Sequence, residues 1–232
     1  MRALLLSLAL LLTAAIAPAR AEQALPGLTE GVQYRFIEDG QPFQAQPPGR
    51  VEVAEVFAYT CPHCAHFSPM LDKWAKQLPA HARLVLVPGV FGRDDPWARL
   101  FFAAQTAKSL GVLHPRLFAA VHETGELPRN ATTVQLLAFA NRVQGVNAAA
   151  LKAALADDAT LLPKLKHAYE FAGRSQVDGT PSLIVAGRYL ILGNSYDNLL
   201  ANARAVVDAL APKKSAPAKP APAKAKPAAS RS

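Results

Sequence analysis

The feature that most constrains this chain is a strand-like run that passes directly into a helix-like run, with a pair of cysteines at the junction. Val51–Tyr59 (VEVAEVFAY) is dense in valine and aromatic residues, which predicts a central, buried strand. From Pro62 the apolar positions Phe67, Met70, Leu71, Trp74 and Leu78 recur at steps of three and four, which predicts an amphipathic helix ending near Leu78, before Pro79. Proline suits a helix's first turn because no amide hydrogen is needed there. Between strand and helix stands Cys61-Pro62-His63-Cys64, which holds both cysteines of the 232-residue chain. A scaffold stapled by disulfides would need more cysteines, farther apart. A bridge across two residues closes a negligible loop, so the pair points to chemistry rather than stability.

Both ends read as separate from the fold. Met1–Ala21 has a basic start at Arg2, an apolar run over Ala3–Ala17 and a small-x-small site at Ala19-Arg20-Ala21. It reads as an export signal cleaved after Ala21, because about 15 apolar residues fall short of the roughly 20 a spanning helix needs. Pro212–Ser232 is almost wholly Ala, Pro, Lys and Ser and is expected to be a disordered tail. The formal charge of +8 resides in these ends, in Lys213, Lys214, Lys219, Lys224, Lys226, Arg231, Arg2 and Arg20. The body, Glu22–Ala211, is balanced, so nothing suggests a nucleic-acid surface. The tail can touch anionic lipid or another acidic envelope polymer only through screened charge.

Val32–Ile37 predicts a strand followed by an Asp39-Gly40 turn, and Arg83–Val87 a short buried strand. The stretch from Asp95 to Gly173 is rich in alanine and leucine. It predicts four or five helices, near Trp97–Leu110, Pro115–Glu123, Thr132–Gln144, Asn147–Ala156 and Thr160–Gly173, with breaks near Gly111, Gly125, Gly145 and Asp157-Asp158. Ser182–Ala186 and Tyr189–Leu192 predict a hairpin with Gly187-Arg188 in a type II′ turn, and Tyr196–Leu210 a final helix. The pattern predicts an α/β fold in which a mixed sheet with flanking helices is interrupted by an inserted all-α lobe. The expected divisions are 1–21, 22–94, 95–173, 174–211 and 212–232: signal, first part of the sheet domain, helical insertion, second part, tail.

At the strand-to-helix junction free backbone amides and the helix dipole favour a thiolate at Cys61. Cys64, one turn deeper, is expected to be the buried resolving thiol. His63 sits between them and can stabilise negative charge on Cys61 as a partly protonated ring or as a neutral hydrogen-bond donor. Free cysteine titrates near about 8.5, and such settings lower this to about 3.5–7.5. At about 1.4 kcal/mol per pH unit, a drop of several units favours the reduced form by several kcal/mol and makes the disulfide oxidising. Glu55 shares a strand face with Val51 and Val53, so its carboxyl is expected to face an apolar interior and to exchange protons near Cys64. The alternative is an edge strand with Glu52 and Glu55 in water. Gly179-Thr180-Pro181 precedes the hairpin, where proline fits a turn; residues alone favour a trans bond there.

On these residues the chain, from about Val32 to Leu210, resembles the DsbA family of periplasmic disulfide oxidases. The resemblance implies a thioredoxin-like fold with an inserted helical domain. It implies oxidation of newly exported, reduced polypeptides in the periplasm, reoxidation by a quinone-linked membrane partner of the DsbB type, and no dissociable cofactor or metal. It makes Thr180-Pro181 a cis-proline loop facing Cys61, whose backbone pairs with substrate as an added strand. It also places Glu55 where the family keeps a buried acid. One departure is visible: family members pair that acid with a lysine on the next strand, and Arg83–Val87 offers none. A monomer is expected.

Four rivals are weighed. A metal module would need Cys61, His63, Cys64 and His66 to converge from six residues, whereas structural zinc sites draw on separated pairs. Haem attachment needs histidine directly after the second cysteine, where Ala65 stands. A third is an isomerase or reductase of the same fold; isomerases of this compartment usually carry an extra dimerisation domain, and Glu22–Gly49 is too short for one. A passive chaperone would keep its activity in Cys61→Ser.

Overall fold

The computed structural model describes residues 24–212; the signal and tail expectations lie outside them, save Pro212. The elements are β1 (Tyr34–Phe36), β2 (Val51–Phe57), α1 (Pro62–Ala75), β3 (Ala82–Pro88), α2 (Pro96–Thr106), α3 (Leu110–His122), α4 (Thr133–Ala140), α5 (Ala148–Ala156), α6 (Asp158–Arg174), β4 (Ser182–Val185), β5 (Tyr189–Ile191) and α7 (Tyr196–Ala209). The strands form one sheet in the order β1-β5-β4-β2-β3. β2 runs parallel to β3 and antiparallel to β4, so the sheet is mixed.

All seven residues of β2 are buried, as a strand covered on both faces requires. Alternate residues serve different layers. Val51 and Val53 join Leu183, Val185 and Ile191 in a cluster with Phe67 and Leu71 of α1 and Leu200, Ala203, Val206 and Val207 of α7. Ala54 and Val56 join Ile184 and Leu190 in the opposite cluster with Leu100 and Phe101 of α2 and Leu113 and Leu117 of α3. The helical segment between β3 and β4 therefore lies on one face of the sheet, with α2 and α3 against the strands and α4, α5 and α6 packed on α2, and α1 and α7 cover the other face.

Three local readings change. α2 stops at Thr106 rather than near Leu110, because Lys108 takes a left-handed φ of 54° and the Ser109 amide donates back to the Ala104 carbonyl. α3 then begins at Leu110 and takes in both Gly111 and Pro115. The hairpin turn is centred on Ala186 and Gly187, with φ of 53° and 68°, and is closed by the Arg188 amide on the Val185 carbonyl at 3.0 Å. Two positive φ values fit a type I′ turn, not the expected II′ with Gly187 first. Gly187 is needed twice, since a Cβ there would lie 2.0 Å from the carbonyl carbon of Gln41.

Glu52 and Glu55 are both buried, so the solvated-edge alternative fails. Glu52 holds the loop before β2: the amides of Phe43 and Gln44 donate to its carboxylate at 2.6 and 2.9 Å, and Gln46 Nε2 at 3.0 Å.

Candidate active site

β2 carries the chain to Cys61, which caps α1 with φ −85° and ψ 119°. Cys61 is partly exposed and Cys64 fully buried, and both are free thiols. The geometry separates their chemistry. Burial opposes ionisation of Cys61, but the Thr180 side chain, the amide and thiol of Cys64 and the amide of His63 outweigh it and hold the thiol below its ordinary 9.0. The neutral thiol makes no capping hydrogen bond to those amides. Instead it donates to the Thr180 carbonyl at 3.2 Å. That contact favours the protonated sulfur, while the helix-start amides favour the thiolate. For Cys64, burial dominates and pushes the thiol up to about 12; the charges of Cys61 and Glu55 add to it, against hydrogen bonding at Ala58 and Thr180.

Thr180 and Pro181 come to the motif from a loop 119 residues away, and the bond between them is cis. Glu55, on β2, stands in register with Leu86 on one side and Leu183 on the other. It has no hydrogen-bond partner among the described residues. Burial raises its carboxyl to about 8, with smaller pushes from the charges of Asp72 and Cys61. Its register partner on β3, Leu86, is apolar and offers no counter-charge.

His63 is exposed and points Nδ1 at the hydroxyl of Tyr196, 3.1 Å away. Tyr196, the first residue of α7, had no role in the sequence reading beyond starting a helix. Also unforeseen is a layer beneath the motif. Tyr59, two residues before Cys61, pairs through its hydroxyl with Nδ1 of buried His114 at 2.8 Å. His122 Nε2 donates to the Tyr59 carbonyl at 2.8 Å. Burial lowers the His114 imidazole to about 4, so it stays neutral, and burial raises the Tyr59 phenol, so it stays protonated. These bonds tie α3 to the end of β2 and fix where Cys61 begins. The signal was present only as two histidines spaced by eight on α3. Cys61, His63, Cys64 and His66 do not converge: among the described residues no group of three or more His, Cys, Asp or Glu is placed to hold a metal. A groove of about 710 Å³ opens beside exposed Phe91 and Tyr169, between the loop after β3 and α6.

Residues 39–202 match the family model described as Thioredoxin. The chain is 34% identical over 186 residues to the thiol:disulfide interchange protein DsbA of Bordetella pertussis, covering 78% of this chain and 84% of that protein. It is 30% identical to the protein of the same name from Burkholderia cepacia, covering 90% and 96%. Among solved structures, the oxidoreductase DsbA from Xylella fastidiosa superposes with a TM-score of 0.71 at 33% identity, over 78% of this chain and 96% of that one. Pseudomonas aeruginosa DsbA gives 0.69 at 25% identity, over 78% and 93%.

Proposed function

The chain belongs to the DsbA family of thioredoxin-fold thiol:disulfide oxidoreductases, and we propose that it acts as an oxidant, passing a Cys61–Cys64 disulfide to reduced polypeptides exported into the periplasm. The observation that carries this direction is the asymmetry of the two sulfurs, one partly exposed and held below its ordinary pKa, the other buried and pushed up to about 12.

The reaction follows from that asymmetry. A substrate thiolate attacks the Cys61 sulfur, the only one within reach of solvent. The Cys61–Cys64 bond breaks, and a substrate–Cys61 disulfide forms. The Cys64 sulfur leaves as a strong base and takes up a proton; Glu55, still largely protonated at neutral pH, is the nearby buried acid that supplies it, directly or through a water. A second substrate thiolate then attacks the substrate-side sulfur and expels Cys61, a good leaving group because its thiolate is stabilised. The substrate loses two electrons to the enzyme and its two thiol protons to solvent; one proton returns to Glu55 to replace the one given to Cys64, and Cys61 is left as the thiolate. Thr180 and Pro181 border Cys61 on the side where an extended substrate would lie. A membrane oxidase of the DsbB type restores the disulfide, and the first 21 residues serve as the export signal.

Equilibration with glutathione buffers tests the direction. A midpoint well above that of a reducing thioredoxin, about −270 mV, supports an oxidant. A midpoint at or below that value, or refolding activity that survives Cys61→Ser, overturns it.

A further inference from the structure

We propose that Tyr196 is a positioning residue of the redox site, holding the His63 ring in place within the motif with its ring proton on Nε2. This rests on the thiol–disulfide chemistry assigned above and adds a residue to it.

His63 and Phe67 are four residues apart and lie on one face of α1. Tyr196 spans both. Its ring packs against that of Phe67, with centroids 5.3 Å apart, and its hydroxyl reaches His63 Nδ1 at 3.1 Å. Phe67 is fully buried, so the tyrosine ring rests on a fixed platform.

The start of α7 is fixed as well. The Ser195 hydroxyl caps the helix by accepting from the Asn198 amide at 3.2 Å. Asn202 Nδ2 donates to the Leu192 carbonyl at 2.7 Å. Gly193 lets the loop press on α7 so closely that a Cβ there would lie 2.8 Å from the backbone of Leu199. A phenol held at both ends has little freedom to leave the imidazole.

The direction of the hydrogen bond follows from electrostatics. Partial burial, then negative charge on Cys61 and Cys64, raises the Tyr196 pKa, so the phenol keeps its proton and lies within the field of both sulfurs. A phenol O–H donating to Nδ1 of a neutral imidazole leaves the ring proton on Nε2. The donor is then on the side of the ring away from Tyr196. A histidine without this contact would divide its time among tautomers and rotamers and stabilise the thiolate less.

The test uses the full-length reduced protein. Thiolate absorbance near 240 nm is titrated in wild type, Tyr196→Phe, His63→Ala and the double variant. Losing one hydrogen bond of ordinary strength should raise the Cys61 midpoint by about half a pH unit, a threefold loss of thiolate stability. The glutathione midpoint should become about 15 mV more reducing, from the same threefold factor. In the His63→Ala background Tyr196→Phe should change neither quantity. An equal shift in that background, or none in wild type, overturns the proposal. Ring ¹⁵N spectra of the unmutated protein give an independent reading: neutral His63 should carry its proton on Nε2, and a proton on Nδ1 refutes the assignment. If wild-type Cys61 itself titrates as an ordinary thiol, the oxidase reading fails, which is a separate result.

Discussion

Replacing Glu55 with leucine should stabilise the oxidised protein, and increasingly so as pH rises. The carboxyl stands between Leu86 and Leu183, and among the described residues no cation or hydrogen-bond donor offsets its burial. Folding moves its titration from an ordinary 4.5 to about 8, chiefly by desolvation. Below pH 4.5 the group is protonated in both states and costs nothing through ionisation. Above 4.5 the unfolded chain releases the proton and the folded chain does not, so the native state binds more protons and stability falls as pH rises, until about 8. At about 1.4 kcal/mol per pH unit the loss is about 1 kcal/mol at pH 5 and about 4 kcal/mol at pH 8. Leucine has no such dependence, and its packing contribution is the same at every pH. Urea unfolding of wild type and Glu55→Leu between pH 5 and pH 8.5 measures the difference directly. The disulfide form is the one to use, because neither cysteine titrates in it. Cys61's charge is the smallest of the three causes, so its loss on oxidation leaves the trend in place. The stability gap should widen by about 3 kcal/mol from pH 5 to pH 8. A gap that stays constant would refute the claim that this carboxyl is held protonated by burial.

Other outcomes follow from the same geometry. Cys64→Ser cannot form the enzyme disulfide and should not oxidise substrate; mixed with oxidised glutathione, its Cys61 thiolate should displace one glutathione thiolate and hold the other as a long-lived mixed disulfide, visible by mass spectrometry under non-reducing conditions, since no second enzyme thiol remains to resolve it. His114 titrates at about 4 in the fold against 6.5 unfolded, so its burial contributes stability above pH 6.5 that is lost as pH falls towards 4. That contribution is about 3 kcal/mol, and His114→Gln should flatten the acid limb of the stability profile by about that amount.

The catalytic motif, the strand before it and the helix after it were legible because each rests on local rules: a valine-rich run, a proline at a first turn, a three-four apolar repeat. The apolar face expected around Glu55 was also readable, since Val51 and Val53 fix the strand's phase. What escaped were decisions taken by distant partners. Lys108 ends α2 in a left-handed conformation usually left to glycine, and Gly111 beside it looked like the stop but lies inside α3. The hairpin slipped by one residue because Gly187 answers to its packing on Gln41 as well as to the turn. Tyr59 with His114, and His63 with Tyr196, are pairs separated by 55 and 133 residues, and neither member of either pair carries a local sign of the other.

The contact between Cys61 and the Thr180 carbonyl has a consequence for the order in which reactivity appears. A ribosome adding about 5–20 residues per second takes about 6–24 s to cover the 119 residues between them. During that interval the nascent chain displays both cysteines with neither the loop that borders them nor β4, the strand that covers β2 on that side. The young dithiol is therefore an ordinary one, open to any oxidant and selective for none. Only the arrival of the last quarter of the polypeptide turns it into a tuned reagent.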